Sequence, residues 1–365
     1  MSNWKRWPPV DDPNSLNWQF ANIEHPERII YPDIRDESRL VLASDYSGEH
    51  ALPEFSVLAF LLVPLSSVMR DWEPGRLEVR RRYLTEGREM SFKKLKDVQR
   101  INALPSFLRA ASRLNGVLVC ISVEKSYSLQ RRRPLPQLTH NWAASSLEKL
   151  IQICFFGGAI IDGLRGAGQH VHWITDDDAI VATEAAQNDA LTLMAERLHQ
   201  FPDEKVQLGL GVVSQFHDDD LRAADIVAIP DLAAGAISET LTRMGKANLP
   251  TSGSGPSGLA LELQEKAAFI NSWRSDNSRP LKHMNAVIRR AEDGRTLLSF
   301  GIPFLKVPDV DQERDGVPSL SSKWRKALIA DWIAQGLDPA ELLKVAGIDP
   351  GETGLIVGDG LTPRH

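Results

Sequence analysis

The spacing of apolar and polar residues changes along this chain, and the changes mark out its elements. Arg39-Leu-Val-Leu-Ala-Ser-Asp-Tyr-Ser-Gly48 opens on a compact apolar run and closes on polar residues. That pattern predicts a buried strand running into a turn, with Asp45 at the strand's edge. A second apolar run, 55–64, follows at hairpin distance. Residues 116–124 form the clearest strand pattern, and shorter ones lie at 170–175 and 206–213. Between them the period is helical: over 65–84 with a break at Pro74-Gly75, from Phe92 to Ala111 with an interruption at Pro105, over 146–165, over 179–199, and on to about Met244. Pro230 restarts or kinks the last of these. An antiparallel start followed by alternating helices and strands predicts an α/β fold, a mixed sheet covered on both faces.

The flanks differ in character. Residues 1–37 are rich in Pro, Asp, Asn and Trp, and read as an irregular N-terminal arm that packs through its aromatics. The sheet-forming domain spans 38–245. Residues 246–258 contain a Gly-, Ser- and Pro-rich run and read as a linker. Residues 259–365 are then expected to form a mostly helical appendage, not part of the central sheet, helical at 259–274 and 320–346, with a last strand or extended stretch at 294–307.

Composition narrows the picture. With 365 residues, 42% of them hydrophobic, the chain can bury a sizeable core as one large domain or two. A net charge of −6 gives no global basic bias toward nucleic acid and leaves only local patches. Two such patches are Arg80-Arg81-Arg82 and Arg131-Arg132-Arg133, which read either as solvated faces or as grips on phosphate. Cys120 and Cys154 sit in apolar runs and read as core thiols, not as a disulfide framework or a zinc site. The N-terminus has no signal-peptide pattern and no apolar run reaches about 18 residues. The expectation is a cytoplasmic protein without a membrane partner.

The candidate chemistry lies in the acids. Asp45 and Asp176 each follow a strand, Glu89 opens a helical element and Asp231 follows Pro230 in a helix. Asp45 by itself also reads as a turn former. Four acids from four separated elements are what a pair of divalent cations would need, because such ions take several hard oxygen ligands converging on one place. Gly163-Leu-Arg-Gly-Ala-Gly168 lacks the leading strand of a dinucleotide loop, and Gly253-Ser-Gly-Pro-Ser-Gly258 lacks the ending of a phosphate loop.

Asp45-Tyr-Ser-Gly48, Glu89-Met-Ser-Phe-Lys93, Val123-Glu-Lys125, Ile174-Thr-Asp-Asp-Asp178 and Ile229-Pro-Asp-Leu-Ala-Ala-Gly235 occur in that order. Together they resemble the motifs of the bacterial family called domain of unknown function 3800, over roughly residues 38–245. The resemblance implies a ribonuclease H-like sheet and a metal-dependent nuclease acting on nucleic acid. It implies Mg2+ or Mn2+ held by Asp45, Glu89, Asp176, Asp178 and Asp231, with Lys125 contacting substrate phosphate or orienting an acid. The two Arg runs would bind substrate. A non-catalytic accessory subunit on the same fold, with a protein partner in a mobile-element or phage-defence system, is the alternative. Tyr46 stands where the family has a second acid, and Ser91 where it has His or Lys. Asp225 competes with Asp231 for the last position.

Overall fold

The computed structural model describes residues 4, 16–26, 29–48, 54–129, 136–176, 180–198, 206–215, 221–246, 265–290 and 296–300. In chain order the elements are α1 (Leu16–Ile23), β1 (Arg39–Ser47), β2 (Phe55–Pro64), α2 (Leu65–Ser67), a π-helical turn (Val68–Trp72), α3 (Glu73–Arg82), α4 (Val98–Ala111) and β3 (Val117–Glu124). They continue as α5 (Ala144–Leu164), β4 (His170–Thr175), α6 (Glu184–Leu198), β5 (Gln207–Val212), α7 (Arg222–Lys246), α8 (Glu265–Ser275), β6 (Lys282–Arg290) and β7 (Thr296–Phe300).

The strands form one sheet in the order β5-β4-β1-β2-β3-β6-β7. β1, β2 and β3 are joined antiparallel, while β4 runs parallel to β1 and β5 parallel to β4. This is the ribonuclease H-like arrangement, a mixed sheet flanked by helices. The central strands are apolar on both sides because both sides are covered. Along β1, Val41 and Ala43 enter one core with α4, α7 and α8, while Leu40 and Leu42 enter a second core with α1, α5 and α6. Strand alternation therefore decides which layer each residue of β1 meets.

Several expectations change here. Pro74-Gly75 lies in the first turn of α3, where the missing proline N–H costs no helical bond. Pro105 and Pro230 lie inside α4 and α7, both of which continue past them. The N-terminal arm is not wholly irregular: it contains α1, and Trp4 packs against Phe20 and Tyr31 with ring centroids 4.5 and 5.4 Å apart. The two cysteines are free and buried.

The domain boundary is corrected too. β6 pairs parallel with β3, and β7 pairs antiparallel with β6, so the chain after α8 extends the sheet. Without β6 the apolar strand β3 would present an unpaired edge. The helix expected over 320–346 lies outside the described residues. α5 also departs from expectation, being long and apolar enough to cross a membrane by length and composition. Since 56% of its most apolar window is buried inside the structure, it packs as a core helix.

Candidate carboxylate site

Asp45 is the seventh residue of β1 and shares its face with Val41 and Ala43, under α7. The last parallel pair between β1 and β4 is Ser44 with Thr175. Asp45 and Asp176 are therefore the next residues on two strands spaced about 4.8 Å apart. Ile174 packs into the same core as Ala43, so Asp176 continues that face. Asp231 comes from above, on α7. The turn after β1 needs Gly48, which sits at φ +85°. A Cβ there would fall 2.5 Å from the Phe55 carbonyl oxygen and 3.3 Å from Ser238 Oγ of α7.

The three acids feel one another. Burial pushes the Asp45 carboxyl well above the usual carboxylate range, and the charges of Asp231 and Asp176 push it further, while Lys149 pulls it back. Burial also raises Asp231, with Asp176 adding to it. Hydrogen bonds from the Phe92 N–H, the Ser91 side chain and Asp45 act the other way. The Asp45–Asp231 hydrogen bond requires a proton on one of them, so the two titrate as a pair. Asp176 is exposed and acts on both through its charge. Among the described residues, no three His, Cys, Asp or Glu side chains stand close enough together to hold a metal ion as they are.

The motif around residue 90 reaches the site, but not through its acid. Glu89 turns its carboxylate to Lys94 Nζ at 2.8 Å, with 45% of its side chain exposed. It is not among the charges that act most on Asp45 or Asp231. The contact runs instead through Phe92, whose N–H donates to Asp231 Oδ2 at 2.7 Å, and through Ser91. The Phe92 ring lies over Gly235, one helical turn after Asp231, where a Cβ would come within 2.3 Å of Phe92 Cγ. The spacing Asp231, Gly235, Ser238 thus lays one face of α7 over this turn and the end of β1.

Asp225 does not compete with Asp231. It is fully buried and accepts from Arg80 Nε at 2.5 Å, Arg80 Nη2 at 2.6 Å and Arg76 Nη1 at 3.1 Å. Burial pushes its carboxyl up and the two guanidiniums pull it down. With both oxygens taken up by N–H donors, it fits there as a carboxylate. Arg76 and Arg222 also bind Glu73.

Arg80, the first residue of the 80–82 run, is therefore turned inward onto Asp225 and serves to hold α3 to α7. Arg81 and Arg82 remain largely exposed and pair with Glu78. Lys125 sits in the turn after β3. Through Ala59, Asp45 is level with Cys120, so Lys125 lies five residues, roughly 16 Å, further along the strand direction. That distance does not suit a direct role at the acids. Asp178, Arg131, Arg132 and Arg133 lie outside the described residues.

Tyr46 points to the opposite face of the sheet. Its hydroxyl is 2.7 Å from Ser44 Oγ, which accepts from Trp173 Nε1 at 2.7 Å, and burial pushes the phenol's pKa up. An acid at position 46 would belong to that layer, so tyrosine there takes no oxygen from the Asp45 face. Lys149 Nζ stands 4.8 Å from the Tyr46 ring centroid. On sequence, Lys149 reads only as part of the helix over 146–165, and neither it nor the Ser91 and Phe92 contacts carries a distinguishing signal. The Gly235 spacing is the one visible trace.

No family model matches the chain, and no curated protein matches it.

Proposed function

We propose that this protein is a metal-dependent nuclease or related phosphoryl-transfer enzyme that hydrolyses nucleic-acid phosphodiesters. The observation that carries the reading is the placement of Asp45, Asp176 and Asp231 at the ends of two adjacent parallel strands and on the helix above them, with Asp45 raised by burial and by the charges of Asp231 and Asp176, and Asp231 raised by burial and by the charge of Asp176. Carboxylates so crowded are unstable as free charges and suit a hard divalent cation. Asp45, Asp176 and Asp231 would hold Mg2+ or Mn2+, displacing the proton that Asp45 and Asp231 share. A bound pair of such ions would stabilise the attacking and leaving oxygens of an in-line displacement. The Phe92 N–H fixes Asp231, and the charge of Lys149, from the Tyr46 face of the sheet, acts on Asp45. Arg81 and Arg82, exposed and paired with Glu78, would contact outlying phosphates.

The test is cleavage of end-labelled DNA and RNA oligonucleotides by the full chain in Mn2+ and in Mg2+. The reading expects cleavage that Asp45→Asn and Asp231→Asn each abolish. Cleavage that survives both substitutions would refute it.

One observation favours a second reading, a non-catalytic nucleic-acid-binding or accessory subunit. As the side chains stand, the acids are not gathered into a ligand set, and Glu89 is turned to Lys94. Oligonucleotide binding that needs no divalent cation, together with no cleavage, would select it.

A further inference from the structure

We propose that Lys266 is a positioning residue of the carboxylate site, clamping the Ser91–Phe92 turn against α7 so that the Phe92 N–H holds Asp231 in place. Three contacts form a chain. Lys266 Nζ donates to the Phe92 carbonyl oxygen at 3.1 Å. The same ammonium lies 3.9 Å from the Phe92 ring centroid, a close cation–π contact. The Phe92 N–H then donates to Asp231 Oδ2 at 2.7 Å. On its other side the Phe92 ring presses on Gly235, so the turn is held between α7 and α8.

Lys266 enters from beyond the Gly-, Ser- and Pro-rich run, on a helix that packs against α7. Fixing a lysine in two directions costs it much side-chain freedom. A methionine would cover the ring equally well but would leave the Phe92 carbonyl without this donor. Burial lowers the Lys266 pKa, and the charges of Glu239 and, to a lesser degree, Asp231 partly counter that. The inference rests on the reading of Asp231 as a metal ligand, and its test separates the two.

The two ways in which Lys266 could act predict opposite signs. As a mere neighbouring positive charge it competes with a divalent cation, so removing it would tighten Mn2+ binding. As a clamp it keeps Asp231 preorganised, so removing it weakens Mn2+ binding. The experiment compares the full chain with Lys266→Met and Lys266→Arg. Hydrogen exchange is followed at the Phe92 amide without metal, with the Ile270 amide of α8 as reference, and MnCl2 is titrated calorimetrically.

For Lys266→Met the proposal expects Phe92 exchange to rise about tenfold while Ile270 is unchanged, and Mn2+ affinity to fall about tenfold, the scale of one lost charge-assisted hydrogen bond. Lys266→Arg, which keeps donor and cation, should restore both. Unchanged Phe92 exchange, an equal rise at Ile270, or tighter Mn2+ binding in Lys266→Met would overturn it. If the wild type takes no Mn2+, the metal reading fails, and Phe92 exchange still decides whether Lys266 holds the turn.

Discussion

Replacing Gly235 by alanine tests whether the Phe92 turn sits on α7 as described. An added Cβ would lie 2.3 Å from Phe92 Cγ, 2.4 Å from Cδ1 and 2.7 Å from Cβ. Phe92 is itself buried, so its ring cannot swing freely into solvent. Overpacking of this kind costs about 1–3 kcal/mol. Alanine in place of glycine inside a helix returns roughly 0.5–1 kcal/mol. The net expectation is a loss of about 1–2 kcal/mol, read as a lower urea midpoint with unchanged slope. Gly245, in the last turns of the same helix, is the control, since a Cβ there meets nothing within 4 Å. Gly245→Ala should be neutral or stabilising by up to about 1 kcal/mol. If Gly235→Ala behaves like Gly245→Ala, the ring is not where the argument needs it, and the route from Phe92 to Asp231 falls with it.

The acids predict a pH dependence with a definite sign. Asp45 and Asp231 are raised in the folded state, so their contribution to stability is fully present below the unfolded value of about 3.9 and is lost as pH rises through the raised folded values. Metal-free Asp45→Asn should therefore match or exceed the wild type in thermal stability at pH 7, with the gap closing toward pH 4. Two like charges about 4 Å apart, at an effective dielectric near 20, repel by about 4 kcal/mol, so the repulsive part of that gain is of this order. Asp225→Asn should instead destabilise by about 3 kcal/mol, because it leaves Arg76 and Arg80 facing each other without their shared carboxylate, and it should leave Mn2+ affinity unchanged. Glu89→Gln removes only a surface pairing with Lys94, so both stability and Mn2+ affinity should stay close to wild type in calorimetry.

What the sequence reveals follows how local the physics is. Strands β1, β2 and β3 are apolar on both faces over most of their length, β4 and β5 are short apolar runs with one face more exposed, and local runs of either kind need no knowledge of the rest of the fold to be seen. Asp45 and Asp176 are visible for the same reason, as acids that end such runs. β6 is hidden because His283 and Asn285 interrupt its apolar pattern and are buried nonetheless. The Trp273 ring lies 4.5 Å from the His283 ring, and Arg274 donates to Asn285 Oδ1, contacts that local pattern cannot supply. Arg80 resembles any surface arginine until α7 brings Asp225 to it from 145 residues away. Glu89, the expected ligand, pairs with Lys94 while the Phe92 N–H reaches Asp231, because the turn presents an N–H and not a carboxylate. A backbone donor leaves no mark on composition or spacing.

The central claim is that Asp45, Asp176 and Asp231 together form a divalent-cation site. Calorimetric titration of MnCl2 into the metal-free full chain, beside Asp45→Asn, tests it most directly. The account predicts saturable heat in the wild type, a melting temperature that rises with Mn2+ as mass action requires, and loss of both in Asp45→Asn. No binding at millimolar Mn2+, or binding that persists undiminished in Asp45→Asn, would contradict it.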